Sequence, residues 1–158
     1  MFHVQQNIFI DAPVSACAAF LANPQNLPVI DRKVGEMDVL SMANDQAEVI
    51  LRGRFAGFIP YDLKLNFAFK PEGGFVAKGK SGILRTFHTE FTLEPHGART
   101  NVIHIESYDF LFSRIAEFFF RPTVERIVTE ELTLMKGLVE MAKGTSENGP
   151  SAALPEKL

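Results

Sequence analysis

Apolar and polar residues alternate along most of the chain, and this alternation predicts a β-rich protein. Residues 2–11 alternate and predict one strand, and a second run of period-two patterning extends from about Val34 to Phe110. One polar and one apolar face per strand is typical of an antiparallel sheet with a single buried side. This run begins near Val34, and its predicted strands then lie at 47–55, 61–69, 75–82, 83–94 and 99–110.

A short helical pair is predicted between the first strand and the sheet. Asp11 is expected to cap a helix over about 12–22, because its carboxylate can accept amide hydrogens of the first turn. Pro13 fits the same start, since its missing N–H does no harm there. Two further prolines limit residues 25–31 to one or two helical turns.

The period becomes helical towards the C-terminus. Pro122 is expected to break or restart the helix, leaving a main segment at 122–143 that ends at Gly144. This segment is roughly 30 Å long. It is the only element able to cover the Phe-rich face of the sheet, so we expect it across the concave side. Residues 1–143 are therefore predicted to form one α+β domain, and 144–158 a disordered tail.

Composition narrows the function. A length of 158 residues suits one domain, and the formal net charge of −3 argues against a general nucleic-acid binder. The chain has fifteen Phe, two Tyr and no Trp. Most of its aromatic rings therefore carry no hydrogen-bonding group, which favours an apolar interior over a sugar or nucleotide site.

Metal and redox chemistry find little support in the sequence. Cys17 is the single cysteine, which excludes an intramolecular disulfide and favours a reducing compartment. The histidines lack metal-ligand spacing and are expected at the surface, so we predict no metal and no other cofactor. They are His3, His88, His96 and His104. With no secretory signal and no apolar stretch of ~18–20 residues visible, the protein is expected to be soluble and cytoplasmic.

Three short motifs occur in a characteristic order before the terminal helix. They are Ile-Phe-Ile-Asp-Ala-Pro at 8–13, Asn-Pro-Gln-Asn-Leu-Pro at 23–28 and Gly-Ala-Arg-Thr at 97–100. With this order the chain, over about 2–143, resembles the START-like (SRPBCC) superfamily. That superfamily includes bacterial polyketide cyclase/dehydrase-like proteins, plant pathogenesis-related allergens and lipid-transfer START domains. The resemblance implies a helix-grip fold, in which a curved antiparallel sheet of six or seven strands wraps around the C-terminal helix.

The resemblance also implies a hydrophobic-ligand cavity between sheet and helix, with three functions open. The first is binding or transport of a lipid, polyketide or isoprenoid, favoured by the apolar lining and the shortage of paired titratable groups. The second is a cyclase/aromatase-type enzyme, whose candidate residues are Tyr61, Arg85, Asp109 and Glu131. The third is a co-chaperone-like protein-interaction module, which a solid core would favour.

Strand alternation predicts which side chains line the cavity. The predicted apolar lining is Phe55, Tyr61, Leu63, Leu65, Phe67, Phe69, Phe75, Phe87, Phe91, Leu93, Ile103 and Ile105. The same alternation points four polar residues inward, namely Arg85, Thr89, Ser107 and Asp109. A few polar groups in an apolar pocket typically orient its ligand.

Glu131 lies within the apolar stripe of the terminal helix. It follows Val128 by three residues and precedes Met135 by four, so all three share one face. A carboxylate there is costly unless it is paired or protonated. We weigh an edge position at which Glu131 reaches solvent, a purely structural pairing, and a cavity-facing acid that pairs with Arg85 or binds ligand. Met135 is included in the predicted ligand-binding wall.

The segment 110–120 is unusually apolar for a junction between a strand and a helix. Packing beneath the helix is one explanation. The other is a cavity mouth or a transient contact with a membrane or a protein through Phe118, Phe119 and Phe120. Arg114, Glu117 and the short length of the segment exclude a bilayer span.

Overall fold

A seven-stranded antiparallel sheet wraps around a long C-terminal helix. The computed structural model describes residues 1–82 and 84–147. The strands are β1 (Phe2–Ile10), β2 (Val34–Met42), β3 (Gln46–Phe55), β4 (Ile59–Phe69), β5 (Gly74–Lys80), β6 (Leu84–His96) and β7 (Arg99–Phe110). The helices are α1 (Val14–Ala22), α2 (Leu27–Ile30) and α3 (Ser113–Glu147), with a 3₁₀ turn at Pro24–Asn26. The predicted α+β helix-grip architecture is confirmed.

The strand order is β1-β7-β6-β5-β4-β3-β2, so consecutive hairpins build the sheet and β1 joins it beside the last strand. The two ends of this order are β1 and β2. Residue pairing between β2 and β3 is interrupted twice, because Gly35 and Leu40 each add one unmatched residue to β2. The sheet therefore has one irregular edge at β2.

The buried face of α3 closes the concave side. Its buried apolar side chains recur at helical spacing and are Val124, Val128, Leu132, Met135 and Val139. Opposite them, Phe67, Phe75 and Phe91 lie ring against ring, with centroids 4.9 Å and 5.1 Å apart in sequence order. This half of the interior is filled by side chains.

Helix α3 runs through Pro122, so the predicted break there is wrong. Proline removes one donor from the helix and leaves the carbonyl four residues earlier, that of Phe118, without its partner. Both residues lie on the exposed side of α3, where water can hydrate that carbonyl. Helix α3 also continues past Gly144 to Glu147, and the rest of the predicted tail, 148–158, lies outside the described residues.

Asp11 does not cap α1, which begins after Pro13 without a side-chain cap. Instead the backbone N–H of Asp11 donates to Oε1 of Glu140 at 2.8 Å, and Lys143 Nζ donates to the Asp11 carbonyl at 3.3 Å. Asp11 therefore ties the end of β1 to the last turns of α3.

The predicted phase of β7 is wrong by one residue. Its inward side chains are Val102, His104, Glu106, Tyr108 and Phe110, all of them buried. By alternation, Ile103, Ile105, Ser107 and Asp109 belong to the opposite face of the sheet. The prediction placed Ile103 and Ile105 inward because they are apolar, but the inward positions next to them hold the polar residues His104 and Glu106.

Arg85 is exposed, so its predicted inward position is wrong as well. Leu84 pairs with Phe110 and Thr86 pairs with Asp109, which leaves Arg85 as the extra residue of a β-bulge. The bulge breaks the alternation that holds from Phe87 onwards. Within the described residues, no helix is both long enough and apolar enough to cross a bilayer.

Candidate functional site

A cavity of about 290 Å³ lies between the sheet and α3, close to the lower limit of about 300 Å³ for small-molecule pockets. Its apolar lining includes Leu27, Val34, Leu51, Phe55, Ile59, Leu63, Leu84, Phe87 and Phe110. Its polar lining includes Asp31, Lys33, Tyr61, Thr89, Glu106, Tyr108 and Glu131. The cavity is thus an apolar chamber with polar groups on part of its wall.

Only part of the predicted lining borders this cavity. The predicted residues that do so are Phe55, Tyr61, Leu63, Phe87, Thr89 and Glu131. Those that belong instead to the packed interior or its margin are Leu65, Phe67, Phe69, Phe75, Phe91, Leu93 and Met135. Those that do not face inward are Arg85, Ile103, Ile105, Ser107 and Asp109. The filled aromatic half of the core accounts for most of the difference.

The strand glycine Gly53 allows Lys33 to enter the wall. A Cβ at this position would lie 1.8 Å from the Lys33 carbonyl oxygen, so only glycine lets the two backbones approach this closely. The same carbonyl accepts hydrogen bonds from the Tyr61 hydroxyl at 2.9 Å and from the Arg54 N–H at 3.2 Å. These contacts fix the backbone from which the Lys33 side chain starts.

Lys33 forms a buried ion pair with Glu106 on the facing strand β7. Its Nζ donates to Oε1 at 2.7 Å and to Oε2 at 2.9 Å, and both side chains are almost fully buried. The Tyr108 hydroxyl donates to Oε2 of Glu106 at 2.5 Å. Asp31 Oδ2 also lies 3.5 Å from Nζ. Each charge of the pair therefore has several close partners, which a buried pair requires.

Burial and neighbouring charges act against each other in this group. Burial alone would raise the pKa of Glu106, but the Lys33 ammonium and His104 outweigh it and the pKa is lowered. Burial would lower the pKa of Lys33, but Asp31 and Glu106 raise it well above its usual range. Burial and the charge of Glu106 raise the pKa of Asp31 against the pull of Lys33. Lys33 and Glu106 are therefore charged at neutral pH.

Glu131 is buried on the cavity wall, as its helical phase predicts, but its predicted partner Arg85 is elsewhere. Burial raises the pKa of Glu131 well above its usual range, and the charges of Asp31 and Glu106 add to this effect while Lys33 opposes it. Its Oε2 atom has no hydrogen-bond partner among the described residues. Burial thus favours the protonated form of the Glu131 carboxyl group at the cavity.

His104 is next to Glu131 and is fully buried, so its predicted surface position is wrong. Its ring stacks on Phe91 with centroids 3.9 Å apart, and Nε2 is hydrogen-bonded to the Thr89 hydroxyl at 3.0 Å. Burial lowers the pKa of His104 to about 4, and the imidazole is neutral at pH 7. Its Nδ1 lies 3.6 Å from Oε2 of Glu131.

One atom from each of His104, Glu106 and Glu131 lies within 4.8 Å of the others, a spacing that resembles a metal site. The Lys33 ammonium, however, already bonds to both oxygens of Glu106. Nε2 of His104, the nitrogen closer to Glu106, is engaged by Thr89. The cluster therefore fits an internal ammonium better than a metal ion.

Sequence reasoning missed Lys33, Glu106 and His104, and the expected shortage of paired titratable groups is wrong. A different phase of β7, through Val102, Tyr108 and Phe110, would have placed Glu106 and His104 inward. Nothing local marks Lys33, because its partner Glu106 lies 73 residues away in sequence. The one feature of the sequence that could have indicated a close backbone contact at this place is Gly53, a glycine within the strand β3.

No protein-family model matches the sequence. No curated protein matches it either.

Solved structures match the fold at low sequence identity. The Zhui aromatase/cyclase of Streptomyces sp. R1128 has a TM-score of 0.79 and 16% identity over 94% of this chain and 99% of its own. A protein of Thermus thermophilus has a TM-score of 0.78 and 14% identity over 89% of this chain and 99% of its own. A START superfamily protein of Mycobacterium smegmatis has a TM-score of 0.67 and 11% identity over 91% of this chain and 98% of its own. The chain therefore has a START/SRPBCC-like helix-grip fold.

Proposed function

We propose that the protein binds a neutral hydrophobic small molecule of the lipid, polyketide or isoprenoid class in this cavity. The observation that carries the proposal is the composition of the wall, where aromatic and aliphatic side chains surround a few placed polar groups. A solid core would have favoured the interaction module, and the described interior contains a chamber instead.

The charges of the wall favour a neutral ligand. The Lys33 ammonium is bound by Glu106, and burial raises the pKa of Glu131, which favours its protonated form. No unpaired cation is found among the lining residues that the structure describes, so an ionised carboxylate or phosphate would be buried without compensation. A carbonyl or hydroxyl oxygen would instead accept a hydrogen bond from the Glu131 carboxyl group.

The similar structures support this class of ligand. One is an aromatase/cyclase and another is a START superfamily protein. For this chain, the proposed class of ligand rests on the lining of the cavity.

Native mass spectrometry of the purified protein and displacement of the neutral fluorophore N-phenyl-1-naphthylamine test the proposal. Leu63→Phe extends a lining side chain into the cavity and should weaken fluorophore binding at least about tenfold, because it removes volume from a small chamber. Leu134→Phe, the same change on the outer side of α3, should leave binding unchanged. Equal binding by wild type and Leu63→Phe, with both folded, would contradict the proposal.

A second candidate is a cyclase/aromatase-type enzyme. The observation that favours it is the carboxyl group of Glu131, 3.6 Å from the imidazole of His104. Burial raises the pKa of the acid and lowers that of the base, so the pair could donate and accept a proton within an apolar chamber. Arg85 and Asp109 are excluded from this role because they lie outside the cavity. Incubation with a linear poly-β-ketone would test it, since a cyclase yields an aromatic product with loss of water and Glu131→Gln abolishes that product.

A further inference from the structure

Six large apolar side chains are exposed on the first turns of α3, on the residues just before it and on the β3–β4 turn, and we call them the aromatic face. They are Phe58, Leu111, Phe112, Ile115, Phe118 and Phe119. Phe112 is 77% and Phe118 is 78% exposed, so these rings are almost as accessible as in an unfolded chain. A contiguous apolar surface of this kind marks an interaction site.

Helical spacing and one turn bring these side chains together. Phe112 directly precedes α3, and Ile115 and Phe119 follow it at intervals of three and four residues, so the three lie on one side of this segment. Phe58 reaches the same groove from the β3–β4 turn, where Ala56 and Gly57 have φ angles of 52° and 83°. The groove that they border is open and measures about 560 Å³.

The aromatic face adjoins the ligand cavity. Phe110 lines both the cavity and the surface groove. Phe120, predicted as a surface contact, turns inward instead, with its ring centroid 5.1 Å from that of Phe55 and 5.8 Å from that of Phe110. One layer of aromatic rings therefore separates the groove from the cavity.

Three exposed arginines lie on elements next to the aromatic face, although the whole chain carries −3. Arg54 precedes the turn that carries Phe58, Arg85 is the bulge residue beside Phe110, and Arg114 is on α3. All three are exposed, and none forms an ion pair within the part of the chain that the structure describes. The nearby carboxylate of Glu117 is bound by Arg121.

We propose that the aromatic face docks on an anionic lipid bilayer. Aromatic and aliphatic side chains on one side of a helix insert at the interface, and arginines around them contact anionic headgroups. A second copy of this chain fits less well, because a two-fold contact would bring the same arginines of both copies together. The proposal extends the ligand-binding function, because docking would leave one layer of aromatic rings between the cavity and the membrane, but docking itself does not depend on a ligand.

Flotation with lipid vesicles tests the docking. The wild-type protein should bind vesicles of phosphatidylcholine and phosphatidylglycerol, and binding should fall as salt is raised. The double variant Phe118→Ser/Phe119→Ser should bind at least about tenfold less, because two exposed rings no longer enter the interface. Arg114→Glu should weaken binding to the anionic vesicles and leave binding to pure phosphatidylcholine unchanged.

A matched control is available at other exposed apolar positions. Val29 is 59% exposed and Met141, near the other end of α3, is 69% exposed. The double variant Val29→Ser/Met141→Ser should bind vesicles as the wild type does. Circular dichroism verifies that each variant is folded, and fluorophore binding reports the cavity separately.

Three results would overturn the proposal. The first is a folded wild-type protein that does not float with anionic vesicles. The second is an equal loss of binding in the control and the aromatic-face variants. The third is sedimentation showing a dimer that Phe118→Ser/Phe119→Ser dissociates while vesicle binding is unaffected, which would assign the face to a second copy.

Discussion

The carboxyl group of Glu131 and the imidazole of His104 face one another across 3.6 Å, measured from Oε2 to Nδ1. Neither atom has another hydrogen-bond partner among the described residues. Burial raises the pKa of the acid and lowers that of the base to about 4, so burial favours the neutral form of both groups. A small approach would let the Glu131 O–H donate to Nδ1 while Nε2–H donates to Thr89. In their neutral forms, the two groups are a proton donor and a proton acceptor beside an apolar cavity.

Glu131→Gln should become more stable relative to the wild type as pH rises above about 4.5, the ordinary pKa of the group. The unfolded wild type loses its proton there while the folded protein keeps it, so the wild type loses about 1.4 kcal/mol per pH unit up to the folded pKa. Urea unfolding of both proteins at several pH values measures the difference. A difference that is constant with pH would show that the folded carboxyl is already ionised.

His104 should stay neutral between pH 7 and pH 5, since burial holds its pKa at about 4. The unfolded chain takes up a proton near the usual value of 6.5, so stability from this group is lost as pH falls from 6.5 towards 4. The loss is on the order of 3 kcal/mol. Nitrogen-15 spectra of the imidazole follow the protonation directly. Protonation of folded His104 close to pH 6.5 would contradict its burial.

Lys33→Met should destabilise the protein by about 3–5 kcal/mol, because it leaves the Glu106 carboxylate buried without its cation. The double variant Lys33→Met/Glu106→Gln should recover at least half of this loss in chemical denaturation. Lys70→Met is the control, since Lys70 pairs with Glu90 at a partly exposed site and should cost only about 1 kcal/mol. A double variant no more stable than Lys33→Met would mean that the cost is not electrostatic.

Gly53→Ala should displace the Lys33 backbone, because the new Cβ would lie 1.8 Å from its carbonyl oxygen. We expect a loss of about 2 kcal/mol or more in unfolding free energy and weaker binding of the fluorophore. Gly35→Ala is the matched strand control, since its Cβ would meet the Arg52 carbonyl oxygen at an ordinary 3.4 Å. It should change stability by about 0.5 kcal/mol or less. Similar effects of both changes would remove Gly53 from its positioning role.

The fold could be predicted because most strands obey simple alternation. In β4, Leu63, Leu65 and Phe67 are buried and the residues between them are exposed, as the sequence pattern predicts. The same rule failed in β7, where inward His104 and Glu106 are stabilised by partners from other elements. A prediction from alternation assigns apolar side chains to the buried face of a strand. It therefore chooses the wrong face where the buried side chains are charged or polar.

Residues of the candidate site could be predicted only where the pattern of a single helix or strand determines their orientation. Glu131 follows from the helical phase of α3 alone, whereas its surroundings depend on contacts distant in sequence. The bulge at Arg85 could not be predicted, because an extra residue is recognised only from pairing with β7. Likewise, a proline normally indicates a break in a helix. At Pro122 the helix continues, because the residue lies on the exposed side of α3, where water can replace the missing hydrogen bond.

The irregular edge at β2 protects the protein against polymerisation. A terminal strand exposes backbone groups on which another chain can extend the sheet. In β2, the unmatched residues Gly35 and Leu40 shift the register twice within nine residues. An incoming strand would lose its pairing at both points, so β2 is a poor template for a growing fibril even though Leu40 and Met42 are exposed there.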